Sequence, residues 1–324
     1  MSDALRPLRV GTRGSALALW QTRRVCRALQ DADIACEIVI IKTTGDLVVD
    51  VPLSRIADPS AFTRQIDDAM VAGEIDLAVH SLKDLPTALR EGTVLAAVGS
   101  REDPRDALVS KRGRTFAEMP VGSILATCSL RRRAQLLRAR PDLVIVDSRG
   151  NVDTRLAKLD ASETLFGTVL ATAGLSRLGL GARIAERLPF DVMLPAPGQG
   201  ALAVTARADD HRALEAARQV LHAEDIALCT GAERAFLRFL EGGCEAPVAA
   251  FAELQDAPGT DRARALRLRG RVVALDGTAT AEGEQTSSVR SVAEAEALGE
   301  ALAQRLLGEG ADRILEALRS RPVG

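Results

Sequence analysis

The 324-residue sequence predicts an α/β protein of three domains, two α/β lobes with a cleft between them and a smaller α+β domain at the C-terminal end. Three observations lead there. Short apolar runs alternate with helical patterns through the first half of the chain. That rhythm breaks at Ser100-Arg-Glu-Asp-Pro-Arg-Asp106, a stretch with a proline and five charges, and restarts at Ala107. Beyond Leu221 it gives way to a long helix, a Gly-Gly turn and alternating strands.

In the first lobe, strands are expected near Leu8–Thr12, Cys36–Lys42, Ile75–His80 and Val94–Val98, each a short apolar run. A helix is expected from about Ser15 to Gln30. A second runs from Phe62 to Ala72, where Phe62, Ile66 and Met70 recur at four-residue spacing and so share one face. In the second lobe strands fall near Ser123–Ala126, Leu143–Val146 and Thr168–Ala171, each followed by a helical segment. This lobe ends around Leu194-Pro-Ala-Pro-Gly-Gln-Gly200. The run Ala201–Ala206 suits a strand of either sheet. In the last domain a helix ending at Leu240 precedes strands around Val248–Leu254 and Ala265–Leu275, then C-terminal helices.

Hydrophobic residues make up 47% of the sequence and charged ones 27%, a balance that favours packed cores over disorder. A formal net charge of -2 excludes a globally basic nucleic-acid binder, so any anion site has to be built from clustered arginines. The first residues carry no apolar targeting run, and no uncharged stretch reaches the roughly 18 residues of a membrane span; a cytoplasmic protein is expected. Cys26, Cys36, Cys128, Cys229 and Cys244 form no CxxC pair, so neither a disulfide framework nor a zinc cage is suggested. His80, His211 and His222 are too scattered for a metal site.

Three expected strand-to-helix turns carry arginine. In Ala126-Thr-Cys-Ser-Leu-Arg-Arg-Arg133, Ser129 is placed to cap a helix whose first turn holds three arginines. Cations there oppose the helix dipole at roughly 0.3–1 kcal/mol each when exposed, and a docked anion reverses the sign. Ser148-Arg-Gly-Asn-Val-Asp-Thr-Arg155 repeats the arrangement with Arg149, Gly150, an Asn151 cap and Arg155 one turn inside. Gly11-Thr-Arg-Gly-Ser15 repeats it with Arg13 and a Ser15 cap. Solvated or surface-paired arginines account for any one of these turns. The three together suit a site for several carboxylates or phosphates. None has the glycine pattern of a nucleotide-binding loop.

His80-Ser-Leu-Lys-Asp-Leu-Pro-Thr87 places Lys83 and Asp84 just past a strand, at the carboxyl edge where open α/β sheets bind ligands. There Asp84 either stabilises a cationic intermediate and exchanges a proton with it, or caps the turn before Pro86 or pairs with Lys83. Leu240-Glu-Gly-Gly-Cys-Glu-Ala-Pro247 presents Cys244 after two glycines, whose backbone freedom suits a side chain that reaches into a cleft. Acidic Glu241 and Glu245 disfavour a thiolate, which makes Cys244 an attachment point before a turnover nucleophile.

These segments, together with Thr12-Arg-Gly-Ser-Ala-Leu-Ala-Leu-Trp-Gln21, Thr43-Thr-Gly-Asp46, Gly174-Leu-Ser-Arg177 and Pro197-Gly-Gln-Gly200, resemble the porphobilinogen deaminase (hydroxymethylbilane synthase) family over nearly the whole chain. The resemblance implies two lobes like those of type II periplasmic binding proteins. Lobe 1 then covers 1–101 and 201–219, lobe 2 covers 106–195, and a C-terminal α+β domain covers 222–324. It implies a dipyrromethane cofactor on Cys244 through a thioether bond, held by Lys83, Asp84, Thr127, Ser129, Arg131, Arg132 and Gly150, with Asp84 also the catalytic carboxylate. Arg13, Ser15, Arg149, Arg155 and Arg177 then face the substrate or the growing chain. The implied reaction joins four porphobilinogen molecules, each losing ammonia, into linear hydroxymethylbilane for tetrapyrrole (haem, chlorophyll, corrin) biosynthesis, without metal or nucleotide. A monomer that engages neither nucleic acid nor membrane is expected. Each porphobilinogen brings an acetate and a propionate, so Coulomb attraction accounts for an arginine-lined site.

The sequence departs from the family's pattern in places. The lid, of the form Gly-Gly-Lys-Gly-Leu-Phe-Thr-Lys-Glu in the family, reads Ala57-Asp-Pro-Ser-Ala-Phe-Thr-Arg-Gln65 here. It lacks the glycines and a lysine and puts Asp58 where a polyanion passes, which implies a stiffer lid that recruits substrate less well unless Arg55 and Arg64 compensate. Cys128 stands for a small hydroxyl residue, Glu245 for a glutamine, and a tyrosine often found before Thr168 is missing. The lid keeps open a second reading, a non-catalytic paralogue that binds polyanions. A nucleic-acid binder using the Ser129–Arg140 helix is a third, but it lacks a basic balance and, at 2% aromatic residues, stacking platforms.

Overall fold

A computed structural model describes residues 6–43, 63–240, 246–255 and 264–320. The chain begins with β1 (Leu8–Thr12), α1 (Ala16–Asp31), β2 (Cys36–Ile40), α2 (Arg64–Val71), β3 (Leu77–Ser81) and β4 (Thr93–Arg101). There follow β5 (Asp106–Ser110), β6 (Ile124–Ala126), α3 (Leu130–Ala139), β7 (Val144–Val146), α4 (Val152–Ala161), β8 (Leu165–Ala171), α5 (Thr172–Arg177) and β9 (Glu186–Arg187). Next come β10 (Ala201–Arg207), α6 (His211–Leu221) and α7 (Glu224–Phe239). The chain closes with β11 (Val248–Gln255), β12 (Arg264–Val273), β13 (Thr280–Val289), α8 (Val292–Leu306) and α9 (Asp312–Arg319). Two compact units result, Met1–Glu102 with Gly200–Ala227, and Asp103–Gln199 with Leu228–Gly324.

The sheet of the first unit has the order β2-β1-β3-β10-β4. Its β1, β2 and β3 run parallel, and β10 lies antiparallel between β3 and β4. Apolar residues fill β10, as both faces of a covered sheet require. On one face Leu8, Val10, Leu77 and Val204 pack with Val25 and Leu29 of α1 and Ala213 and Ala217 of α6. On the other, Ile66 and Met70 of α2 pack with Ile75 and Ala78, so the four-residue spacing marks a buried helix face. Phe62, the first member of that series, lies outside the described residues.

The sheet of the second unit repeats the pattern in the order β7-β6-β8-β5-β9, with β6, β7 and β8 parallel and β5 antiparallel to β8. Both sheets are therefore mixed but mostly parallel, with β10 in the first and β5 in the second running against their neighbours. A third, antiparallel sheet, β11-β12-β13, is covered by α7 and α8 through Phe236, Leu268, Leu302 and Leu306. Gly270 on β12 lets the Phe236 ring approach, since a Cβ there would stand 2.6 Å from it. The C-terminal region thus has the α+β make-up that the sequence predicts.

Helix α6 and strand β13 are among the elements that escaped the sequence reading. Helix α6 buries only alanines, Ala213, Ala216 and Ala217, which give a weak periodic signal, and Asp210 starts it by accepting from the Ala213 amide at 3.0 Å. Strand β13 is largely solvated, with only Ala281 and Val289 buried, and its acids pair with arginines of β12 instead of filling a core.

Candidate active site at the carboxyl edges of two sheets

In the first unit the carboxyl ends of β1 and β3 carry the predicted groups. After β1, Arg13 is half-buried and Ser15 caps α1, its Oγ accepting from the Ala18 amide at 3.3 Å. After β3, a single 3-10 turn, Leu82–Asp84, is pinned by buried Leu82 and Leu85 and closed by the Leu85 amide donating to the Leu82 carbonyl at 3.2 Å. Lys83 is half-buried there and Asp84 is exposed. Among the described residues, Asp84 makes neither a turn cap nor an ion pair with Lys83. Buried Gln21 fixes α1 to the base of this turn by donating from Nε2 to Ser81 Oγ at 2.8 Å.

His80 sits one residue before Ser81, buried, with Nε2 3.4 Å from Thr205 Oγ1 of β10. Burial, with the charge of Arg13 second, pushes its pKa from 6.5 down to about 4. The unfolded chain takes up the proton first, so between those values stability falls as the pH falls, and the full contribution is present above the unfolded pKa. Acidification from pH 7.5 to 5 is expected to cost the parent about 2 kcal/mol more than a His80→Gln variant, read from urea unfolding at both pH values.

In the second unit the ends of β6, β7 and β8 carry the rest. Thr127 is buried, its Oγ1 accepting from the Ser129 amide at 3.2 Å, and Ser129 Oγ accepts from the Arg132 amide at 3.4 Å, the predicted cap of α3. The arginines of that first turn already face an anion. Asp106, fully buried at the start of β5, accepts from Arg131 Nη1 at 2.8 Å, Arg132 Nε at 2.9 Å and Gln199 Nε2 at 3.1 Å. Arg131 Nη1 also donates to the Leu194 carbonyl at 2.8 Å, and Arg132 Nη1 to the Val169 carbonyl at 3.0 Å. Burial lowers the Arg131 pKa, and Asp106 works against that shift. Two guanidiniums against one carboxylate leave a net positive charge. Among the described residues, Nε and Nη2 of Arg131 take no hydrogen bond, so part of its fork remains for a ligand. Arg133 turns away and donates to the Ile145 carbonyl at 3.2 Å.

The turn after β7 is joined to this one. Arg155 donates from Nε to the Gly150 carbonyl at 2.8 Å and from Nη2 to Cys128 Sγ at 3.6 Å, so the sulfur still serves as an acceptor in that turn. Gly150 has φ +110°, and a Cβ there would stand 2.7 Å from the Thr154 methyl, which restricts the position to glycine. Asn151 occupies the N-cap of α4, but its side chain makes no cap bond, contrary to expectation. Arg149 is half-buried, and its carbonyl accepts from Lys158 Nζ at 3.1 Å. Helix α5 continues directly from β8 and carries Arg177, buried, at its end.

The structure thus gathers Thr127, Ser129, Arg131, Arg132, Arg149, Gly150 and Arg155 on one sheet edge, with Arg177 on the helix that leaves it. Arg13, Ser15, Lys83 and Asp84 gather on the corresponding edge of the first unit. Cys244, Glu245 and residues 57–62 of the altered lid lie outside the described residues. The sequence reading missed Asp106, Gln199 and Gln21; the one local signal for Asp106 is an acid directly ahead of the apolar run Ala107-Leu-Val109. Among the described residues no cluster of three or more histidines, cysteines or acids could hold a metal, and no helix is long and apolar enough to cross a membrane.

Comparison with known proteins covers both parts of the chain. Residues 8–215 match the family model described as porphobilinogen deaminase, dipyromethane cofactor binding domain, and residues 227–308 match porphobilinogen deaminase, C-terminal domain. The sequence is 46% identical to the porphobilinogen deaminase of Moorella thermoacetica over 97% of each chain. It is 47% identical to that of Syntrophotalea carbinolica over 98% of this chain and 97% of the relative. Among solved structures it is similar to an ABC transporter periplasmic substrate-binding protein from Coxiella burnetii, at TM-score 0.40 and 15% identity, covering 66% of this chain and 97% of that one.

Proposed function

Since the chain belongs to the porphobilinogen deaminase family, we propose that the two sheet edges divide its reaction between gripping carboxylates and compensating positive charge. The family's activity, with a dipyrromethane cofactor, serves tetrapyrrole biosynthesis. The donor set of the second unit suits such a cofactor. Guanidinium forks, two hydroxyls and a turn that only glycine can adopt recognise carboxylates, and an apolar ligand would leave them unpaired.

Lys83, Thr127, Ser129, Arg131, Arg132 and Gly150 hold the cofactor's carboxylates and Cys244 its thioether. When bound, the cofactor supplies a pyrrole α-carbon from which the chain is extended. Arg131 contributes most directly, because Arg132 is occupied by Asp106 and Val169. Arg13, Ser15, Arg149, Arg155 and Arg177 orient the acetate and propionate of porphobilinogen. Asp84 offsets positive charge at pyrrole nitrogens and accepts or returns a proton there, a role suited to an exposed carboxylate without a hydrogen-bond partner among the described residues. The domains divide as 1–101 with 201–219, 106–195, and 222–324, and the protein works as a cytoplasmic monomer.

The observation that carries this reading is the joining of two arginine turns on one edge, through Arg155 bonded to both Gly150 and Cys128. The test is incubation of the purified chain with porphobilinogen. Consumption with one ammonia released per substrate, and an intact mass carrying a dipyrromethane adduct that maps to Cys244, are expected. Binding without consumption would favour a polyanion-binding paralogue instead.

A further inference from the structure

A buried polar chain runs from the C-terminal sheet to the arginine turn of α3. Arg271 of β12 is 5% exposed, a rare placement for a cation. Its Nε donates to Glu282 Oε2 at 2.6 Å, and its Nη1 donates to Gln135 Oε1 at 2.9 Å and to the Phe190 carbonyl at 3.3 Å. Gln135, 1% exposed, lies one turn after Arg131 on α3. Its Oε1 also accepts from the Leu194 amide at 2.9 Å, while its Nε2 donates to the Leu194 carbonyl at 3.0 Å. That same carbonyl accepts from Arg131 Nη1, which holds Asp106. The amide's orientation is fixed at both ends, because a flipped Gln135 would point its NH2 group at the Leu194 N–H and at Arg271.

We propose that Arg271, acting through Gln135 and Leu194, is a positioning residue that sets the Arg131 guanidinium for its carboxylate ligand. The idea rests on the cofactor reading above. The C-terminal sheet then registers α3, so that the grip keeps one alignment with the domain whose sequence includes Cys244. Simple domain adhesion would not need this chain of bonds. An apolar contact of the same volume adheres at least as well as a buried cation and leaves no polar group to satisfy.

The test compares Arg271→Met and Gln135→Leu with Leu268→Ala, a core truncation in the same sheet that touches none of these groups. Cofactor loading of the apoprotein by porphobilinogen is followed by intact mass, and hydrogen exchange of segments 127–139 and 192–199 is followed in apoprotein. Loading about tenfold slower in Arg271→Met than in Leu268→Ala is expected, with faster exchange in both segments. The double variant is expected to be no slower than the slower single. Equal loading and exchange in Arg271→Met and Leu268→Ala, or slowing in the double that multiplies the two singles, would overturn the proposal. If Arg271→Met does not fold, Arg271→Lys, which keeps the charge without the planar fork, is judged by the same outcomes. A parent chain that acquires no adduct would count against the cofactor reading, and the exchange data would still decide the role of Arg271.

Discussion

Asp84→Asn is expected to fold like the parent and to lose porphobilinogen turnover by roughly 10²–10⁴-fold. The two halves of that expectation have separate causes. Stability is insensitive because the turn is held by Leu82 and Leu85, both buried, while Asp84 projects between them exposed and without a hydrogen bond among the described residues. An amide of nearly the same shape should therefore shift unfolding by no more than about 0.5 kcal/mol. Activity is sensitive because the amide has no charge to set against a cationic pyrrole and cannot take its proton. Turnover of the variant, with a urea melt on the same sample, separates the two. Activity within tenfold of the parent would remove Asp84 from the chemistry.

The second large effect concerns a residue whose role is structural. Asp106→Ala is expected to cost about 3–5 kcal/mol, because it leaves two buried guanidiniums facing each other with their shared acceptor gone. Arg131 and Arg132 are each 5% exposed, so bulk water screens the stranded charges poorly. Removing one of the stranded charges should recover part of the loss, and Asp106→Ala with Arg132→Met is expected to unfold at higher urea than Asp106→Ala alone. A loss below about 1 kcal/mol in the single variant would mean that the ion pair is not the anchor of the turn.

Asp106 also marks how far sequence reasoning reaches. The turns that carry Arg13 and Arg131 were legible because their signals are local: a strand ending, a serine at the cap position, and arginine just before or just after it. Ser15 and Ser129 make the cap bonds that this pattern implies. The same grammar misjudged Asn151, which holds the right backbone position without using its side chain. The anion opposite the arginines was invisible, because Asp106 lies in a polar stretch that reads as a linker and meets Arg131 only through the antiparallel placement of β5 beside β8. An arginine that awaits a ligand and one already satisfied inside the fold have the same local sequence. Strand β13 was lost for a related reason: its acids are paid for by the arginines of β12, which a period-two apolar pattern does not register.

The central claim is that guanidinium groups at these sheet edges grip the carboxylates of a pyrrole substrate. Its most direct test is steady-state kinetics of Arg149→Leu, since Arg149 is half-buried at the edge and its carbonyl, unaffected by the change, makes the bond to Lys158. A charge-assisted hydrogen bond is worth about 1.5–3 kcal/mol, so kcat/KM for porphobilinogen is expected to fall by about 10–100-fold, with Tm of the same sample separating lost grip from lost fold. An unchanged kcat/KM at unchanged Tm would contradict the account.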